Sequence, residues 1–368
     1  MSRHAHLGID LSDTGAHAAA WRDHGSRGQR LFDAARLLEL VTVAQRGALD
    51  FVVFDDDFAL HPSRSTTLQG RLDAALVAAR LAPRTTGIGL VSTVGTTHTA
   101  AAHVAKAVAT IDHASHGRAG WQVGWDTRID DVPTAGPRSS AVQSAAVAAA
   151  AEAAGVVGRH WDRWDESAEA PSARRRFVAH DGVHFAAAPP TAAPRPPQGR
   201  PPVVVRADSP AATELAGRHA DVVRVRVTGP DEAAQARARV RAAVAAAGRD
   251  PRDVRVLVDT HLVVGPDRAS AQARHEMLAE LEGVDAGTLS FVGTTAGFAE
   301  LVSTWVDDEI ADGFVVRPSS VHTDLPALVD GVVPLLRAAD RFRLGYPGAT
   351  LRDTLGLPLA AARYAATA

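Results

Sequence analysis

The stretch that decides the fold is HTAAAHVAKAVATIDHASHGRAGWQVGW, residues 98–125. Its first part, 98–115, is rich in alanine and predicts a helix. A His-Gly-Arg turn follows at 116–118, and the run 118–125 predicts a strand that carries two tryptophans. A helix joined to a strand by so short a turn indicates an α/β protein with parallel strands.

The same unit recurs on both sides of this stretch. Further strands are predicted at 6–9, 51–54, 85–92, 202–207, 221–227, 253–264 and 312–317. Further helices are predicted at 31–47, 65–82, 139–158, 210–220, 230–248, 267–282 and 322–342. About eight strand-then-helix units favour a (β/α)8 TIM barrel, because eight parallel strands close into a barrel. A doubly wound open sheet is the structural alternative.

One segment interrupts the repeating units. Residues 159–202 include the run AAAPPTAAPRPPQGRPP, whose prolines exclude a regular helix or a central strand. The strand series resumes directly afterwards, which indicates an insertion between barrel strands and not a linker between domains. We therefore predict a single domain over 1–368, with the insertion at 159–202 and a C-terminal tail at 341–368.

The composition excludes several classes of protein. The net charge is -3, from 39 basic and 42 acidic residues, so nothing in the charge indicates nucleic acid or an anionic membrane as a partner. The chain has no cysteine, which excludes disulfides and thiolate chemistry. No signal peptide is recognisable, and no apolar run approaches the roughly 20 residues of a spanning helix. We expect a cytoplasmic protein.

Polar and aromatic residues follow the predicted strands, where a barrel has its working face. The candidates there are Asp55, Asp56, Asp57, Ser92, Thr93, Gln122, Trp125, Asp126, Asp208, Ser209 and Arg317. The three consecutive aspartates lack the spacing and the glycine of a cation loop. His98 and His103 are five residues apart and do not share a helix face. No metal site is therefore predicted.

Several motifs, in order along the chain, resemble one enzyme family. They are GAHAAAWR (15–22), LDFVVFDDD (49–57), GLVSTVGTTHT (89–99), ATIDHASHGRAGWQV (109–123), WDRWDESA (161–168), PPQGRPPVVVRADS (196–209), FVGTTAGFAEL (291–301), ADGFVV (311–316) and GYPGATLRDTLGLP (345–358). This set resembles the bacterial-luciferase-like flavin monooxygenases. It is most similar to their branch of nitrilotriacetate and dibenzothiophene-sulfone monooxygenases.

The resemblance implies an FMN-dependent barrel. Such enzymes take reduced FMN from a separate NAD(P)H-dependent flavin reductase and use O2 to oxidise a small organic substrate. The family is often dimeric, so the resemblance also implies a homodimer. The cofactor carries the chemistry, and the protein supplies its position, a dry site and hydrogen bonds.

The resemblance also assigns the residues that bind the cofactor. Gln122 stands where the family usually has an asparagine whose amide hydrogen-bonds the edge of the isoalloxazine ring. Asp56 and Thr93 follow the second and third strands and would lie near the ring. Ser209 matches a serine that binds the phosphate.

Three residues are assigned to the substrate side. His17 and Trp21 match the segment near the substrate, and Trp125 would narrow the pocket.

Asp208 stands where the family's phosphate loop has a glycine, and a carboxylate beside a phosphate is repulsive. This departure leaves two alternatives open: a degenerate luciferase-like barrel that binds flavin or a related ligand without turnover, and a deazaflavin-dependent oxidoreductase.

Overall fold

The computed structural model describes residues 3–12, 15, 30, 32–56, 72–125, 140–162, 180–187, 195–281 and 287–359. His17 and Trp21, which the sequence assigns to the substrate side, lie outside these residues.

Eight parallel strands form a closed barrel. In chain order they are β1 (His6–Asp10), β2 (Phe51–Phe54), β3 (Gly89–Gly95), β4 (Ala119–Gly124), β7 (Val203–Arg206), β8 (Val222–Val225), β9 (Arg255–Val264) and β11 (Gly313–Pro318). Each strand pairs with the next in this order, and β11 pairs back onto β1. The predicted TIM barrel is therefore confirmed, and the alternative of an open sheet is wrong.

Among the described residues, three further strands lie outside the ring. Within the insertion, β5 (His180–Asp181) and β6 (Ala186–Ala187) form an antiparallel hairpin. The strand β10 (Leu289–Gly293) was not predicted from the sequence; it pairs in parallel with the second half of β9. Because β9 has ten residues, its first half can pair with β8 while its second half pairs with β10.

Helices surround the barrel. Their bounds are α1 (Ala34–Arg46), α2 (Ala74–Leu81), α3 (Ala101–Ala114), α4 (Ser140–Asp162), α5 (Pro210–His219), α6 (Pro230–Ala246), α7 (Arg268–Leu281), α8 (Thr295–Asp307), α9 (Val321–Ala327), α10 (Val333–Ala338) and α11 (Leu351–Thr354). Short 3-10 turns span Ala82–Arg84 and Pro251–Asp253.

Three predicted elements differ from the structure. The helix expected at 65–82 begins only at Ala74, with Asp73 as its N-cap. The single helix expected at 322–342 is divided into α9 and α10 by a π turn at Leu328–Val332. Pro326 and Pro334 lie in this region and lack a backbone N–H donor, which weakens a regular helix. The strand expected at 85–92 begins only at Gly89, because Gly87 has φ of +73°, in the left-handed region.

The strands separate two apolar cores. The larger core lies between the strands and the helices and includes Trp121, Phe298 and Phe314. The smaller core consists of alternate strand residues that face the barrel interior, together with three leucines from the C-terminal tail. Its members are Phe51, Val53, Val91, Val204, Val222, Leu257, Val315, Leu351, Leu355 and Leu357.

The C-terminal tail closes the N-terminal end of the barrel. The N–H of Leu351 donates to the carbonyl of Gly117 at 2.9 Å. The Leu351 side chain lies over Gly89 and Gly120, where a β-carbon would approach it to 2.5 and 3.2 Å. With this end filled, the opposite end, where the strands terminate, is the one that can open to a ligand.

Candidate flavin site

The interior of the barrel changes from apolar to polar along its axis. Alternate residues of a strand face the same side, so the residues that follow the smaller core along each strand also face inward. These upper interior residues are Asp10, Asp55, Thr93, Gln122, Arg206, Arg224, Asp259 and Arg317. They form a polar layer beneath the mouth, on the face where barrel enzymes carry their sites.

Arg224 is the centre of this layer. Its guanidinium donates to both carboxylate oxygens of Asp259, at 2.7 and 3.0 Å, and to Asp10 Oδ2 at 3.1 Å. Its Nη1 also donates to Gln122 Oε1 at 2.9 Å. One side chain therefore joins β8, β9, β1 and β4 inside the barrel.

The charged groups in this layer shift each other's pKa values. Burial alone would raise the pKa of Asp10, but Arg224 and Arg317 lower it to about 2. Burial raises the pKa of Asp259 above its ordinary value, although Arg224 acts in the opposite direction. Asp10 is therefore ionised at neutral pH and balances part of the arginine charge.

Thr93 and Gln122, both of which the resemblance assigns to the cofactor, lie together. Gln122 Nε2 donates to Thr93 Oγ1 at 2.8 Å, between paired residues of β3 and β4. Both side chains are almost completely buried, at 2% and 0% exposed. The amide that was expected to meet the flavin ring is therefore already hydrogen-bonded to Thr93 and Arg224.

Two glycines end the neighbouring strands above this pair. Gly95 and Gly124 are paired in register, one residue pair beyond Val94 and Val123. A β-carbon on Gly124 would lie 3.1 Å from Gly95 Cα, whereas one on Gly95 would have no atom of the described residues within 4 Å. Among the described residues, no side chain therefore fills the space at Gly95 beside Thr93 and Gln122, and a space of this kind suits a flat ring.

The aspartates after β2 have different contacts. Asp55 Oδ2 accepts from Arg206 Nη1 at 3.3 Å, across the mouth. Asp56 Oδ2 accepts from the N–H of Ala74 at 3.2 Å, at the start of α2. Asp56 was assigned to the cofactor, and in this structure it stabilises the first turn of a helix.

Ser209 and Asp208 lie at the N-terminus of α5. Ser209 is the N-cap, and its Oγ accepts from the N–H of Ala212 at 3.2 Å. The positive end of a helix dipole suits a phosphate. Asp208 is exposed directly before it and brings a negative charge to the same place.

The two tryptophans of β4 and its end do not face the interior. Trp121 packs edge-on against Trp161, with ring centroids 6.2 Å apart, in the core outside the barrel. Trp125, which was assigned to the substrate, is partly buried against that same core. Its role in narrowing the pocket stays a prediction.

Four residues of the polar layer were not predicted from the sequence: Asp10, Arg206, Arg224 and Asp259. A signal for Arg224 was present in DVVRVRV (221–227), where an arginine interrupts a run of valines. A charged residue at an interior position of a buried strand needs a partner. The pattern predicts that need, but it does not identify the partners on β1 and β9.

Two absences hold for the part of the chain that the structure describes. It contains no group of three or more histidine, aspartate or glutamate side chains placed to hold a metal ion. None of its helices is both long and apolar enough to span a membrane.

Curated relatives match almost the whole chain. N-acetyl-S-(2-succino)cysteine monooxygenase of Bacillus subtilis (strain 168) is 25% identical, with 98% of each protein covered. Nitrilotriacetate monooxygenase component A of Aminobacter aminovorans is 28% identical, with 97% of each covered. Dibenzothiophene-sulfone monooxygenase of Rhodococcus erythropolis is 27% identical, with 94% of each covered.

Solved structures share the fold. EDTA monooxygenase from Chelativorans sp. BNC1 superposes with a TM-score of 0.81 at 24% identity, over 97% of this chain and 99% of that one. A riboflavin lyase with modified FMN and riboflavin gives 0.83 at 20% identity, over 97% of each. An F420-dependent secondary alcohol dehydrogenase gives 0.65 at 17%, over 89% and 98%. The shared barrel alone thus does not decide the cofactor.

The sequence model of the luciferase-like monooxygenases matches residues 14–307, which is most of the chain. That match agrees with the barrel and with the relatives, all three of which are monooxygenases. The chain is an enzyme of the luciferase-like monooxygenase family.

Proposed function

We propose that this enzyme is an FMN-dependent monooxygenase. It would take reduced FMN from a separate NAD(P)H-dependent flavin reductase and use O2 to oxidise a small organic substrate. The observation that carries the proposal is the wall at Gly95, next to Thr93 and Gln122, where no atom of the described residues would lie within 4 Å of a β-carbon. A planar ring can lie against such a wall without displacing a side chain.

The residues around this wall fit the ring end of a flavin. Isoalloxazine presents carbonyl oxygens and ring nitrogens at its edge, which need donors in a dry site. Gln122 Nε2 has two N–H groups, of which Thr93 receives one. The burial of Thr93 and Gln122 excludes water from the layer beneath the ring, and this strengthens hydrogen bonds there.

The phosphate end fits less well. The N-terminus of α5 with Ser209 would hold a phosphate. The carboxylate of Asp208 repels it from an exposed position, where solvent screens part of the repulsion. We therefore expect FMN binding that is weakened and not abolished.

When bound, reduced flavin supplies the electrons that activate O2, and the protein's residues have other tasks. Gln122 and Thr93 orient the ring, and the wall at Gly95 receives it. Ser209 anchors the phosphate. The name of the relative called component A supports a second component, and for this chain we infer that the second component is the reductase.

One observation favours the alternative of a barrel without turnover. Gln122 and Thr93 are buried and bonded to each other, and Gln122 is bonded to Arg224 as well. A layer whose polar groups already have hydrogen-bond partners within the protein depends less on a ligand to supply them. The same layer would admit a deazaflavin, so the cofactor has to be tested directly.

The test is an anaerobic titration of the purified protein with FMN, with reduced FMN and with a deazaflavin, followed by absorbance and fluorescence. We expect reduced FMN to bind most tightly. Turnover is then measured with a flavin reductase, NADH and candidate amines, sulfones and ketones. Binding without substrate oxidation would favour the degenerate barrel. Preference for the deazaflavin would favour a deazaflavin-dependent oxidoreductase.

The Gln122→Ala variant tests the site itself. Removing the amide deletes a donor to the ring and leaves Arg224 Nη1 without its oxygen acceptor. We expect the affinity for reduced FMN to fall by about tenfold, which is the loss of one hydrogen bond of about 1.4 kcal/mol. An unchanged affinity in a folded variant would place the ring elsewhere.

A further inference from the structure

Arg224 joins the amide of Gln122 to two carboxylates within the polar layer. It holds Gln122 Oε1 at 2.9 Å, Asp10 at 3.1 Å and Asp259 at 2.7 Å. The side chain is 4% exposed and points across the barrel axis beneath the mouth. A charge in this place acts on whatever lies above it.

The arginine fixes the orientation of the Gln122 amide. A guanidinium has only donors, so the amide must present its oxygen to Arg224 and its N–H groups to Thr93. The reverse orientation would place donors against donors. Because Asp10 and Asp259 hold the guanidinium from two other strands, it cannot turn away to accommodate a flipped amide.

The arginine also stays charged. Burial alone would lower the pKa of Arg224, but Asp259 and Asp10 raise it above its ordinary value. Asp10 and Asp259 offset part of this charge, but little solvent screens what is left, so the balance between the arginine and the two carboxylates acts on a ligand at the mouth.

The two redox forms of a flavin differ in charge near this layer. The oxidised ring is neutral at neutral pH, whereas the reduced ring readily loses its N1 proton and becomes an anion. We propose that Arg224 makes the site selective for reduced, anionic flavin, by its own charge and by holding the Gln122 amide with its donors toward the ring. This inference rests on the function proposed above.

Two substitutions that change the charge of the polar layer in opposite directions test this proposal. Arg224→Gln removes the positive charge but keeps a polar side chain, and Asp10→Asn removes the negative charge that lies 3.1 Å from the guanidinium. Arg252→Gln is the matched control, since Arg252 is 90% exposed at the far end of the barrel. For each protein the dissociation constants of oxidised and reduced FMN are measured anaerobically, and folding is checked by circular dichroism.

We expect Arg224→Gln to reduce the preference for reduced FMN by about tenfold. The reduction potential of the bound flavin falls correspondingly, by about 30 mV for a tenfold change in a two-electron couple. Asp10→Asn should change both quantities in the opposite direction, and Arg252→Gln should leave both as in the wild type. A loss of packing alone would weaken both redox forms equally and would not move the potential.

The outcomes separate this inference from the proposed function. If the wild type binds no flavin, the proposed function fails. If the wild type binds flavin and folded Arg224→Gln keeps the wild-type preference, only the role of Arg224 is overturned. If Arg224→Gln does not fold, Asp10→Asn decides: an increased preference for reduced FMN supports the role, and an unchanged or decreased one overturns it.

Discussion

At the scale of single residues, Asp208 is the clearest conflict between this chain and its proposed cofactor. It stands exposed directly before Ser209, which caps α5. The helix N-terminus attracts a phosphate and the carboxylate repels it, so the two effects oppose each other within one turn. Because Asp208 is exposed, solvent and salt reduce its effect.

We predict that Asp208→Gly strengthens FMN binding by about two- to fivefold at low salt, the size expected for one exposed charge. The gain should shrink as the ionic strength rises. Asp208→Asn is the matched control: it removes the charge but not the β-carbon. Equal gains in both variants assign the effect to charge, whereas a gain in neither contradicts the repulsion argument. Titration of FMN fluorescence measures the affinity.

At the scale of elements, β4 contributes to the candidate site, whereas the turn before it contributes to the stability of the barrel. Arg118, at 4% exposed, precedes β4 and lies at the closed end of the barrel. It donates to Ser115 O, Thr85 Oγ1, Ile88 O, Ala82 O and Thr85 O. Gln122, further along, faces the mouth. The turn at 116–118 therefore stabilises the barrel at its closed end. The strand that follows, β4, extends to the candidate site at the other end.

We predict that Arg118→Met lowers the free energy of unfolding by about 3 kcal/mol, because buried carbonyls lose their donors. Urea unfolding followed by circular dichroism measures it. Arg252→Met, at a 90% exposed position, should cost less than about 0.5 kcal/mol. FMN affinity per folded molecule should be the same in Arg118→Met as in the wild type; a large loss would give Arg118 a part in the site.

The C-terminal tail is the second element with a defined task. Leu351 is fully buried in the interior core, and Arg352 donates to Arg200 O at 2.6 Å and to Asp221 at 3.1 Å. We predict that Leu351→Ala costs about 3 kcal/mol of stability, by cavity formation. Leu344→Ala, at an 84% exposed leucine, should be close to neutral. Equal effects in thermal denaturation would contradict a plug at this end.

At the scale of the whole molecule, the barrel buries charges in its interior and balances them across strands. Asp10, Asp259 and Arg224 come from three strands and meet beneath the mouth. Such a group is costly to bury and is tolerated only when it is fully paired. Its pairing therefore links stability to pH.

We predict a loss of stability in acid. The folded-state pKa of Asp10 is about 2, below the value of 3.8 in an unfolded chain. Its contribution is therefore complete above about pH 4 and is lost as the pH falls toward 2. The difference amounts to about 2 kcal/mol. Unfolding free energies at pH 5, 4, 3 and 2 should fall by about that much more in the wild type than in Asp10→Asn; parallel curves would refute the linkage.

Sequence patterns located most of the barrel and half of its polar layer, namely Asp55, Thr93, Gln122 and Arg317. The eight barrel strands follow from short β-rich runs between helices, and β10 was missed because the barrel needs only eight. The position of Thr93 and Gln122 in this layer was predictable because both lie near the ends of predicted strands, at the working face; their contact with a cofactor stays a prediction. The π turn at Leu328–Val332 depends on how α9 and α10 pack, which periodicity does not contain.

The sequence by itself determined the α/β class, the number of barrel strands and the family, because hydrophobic periodicity and local motifs are written in neighbouring residues. Only the tertiary structure decided which charges meet. Arg224 hydrogen-bonds Gln122, which is 102 residues away in the sequence, and Asp10, which is 214 residues away. Barrel closure and strand register bring such residues together, and neither is encoded in any short stretch of the chain.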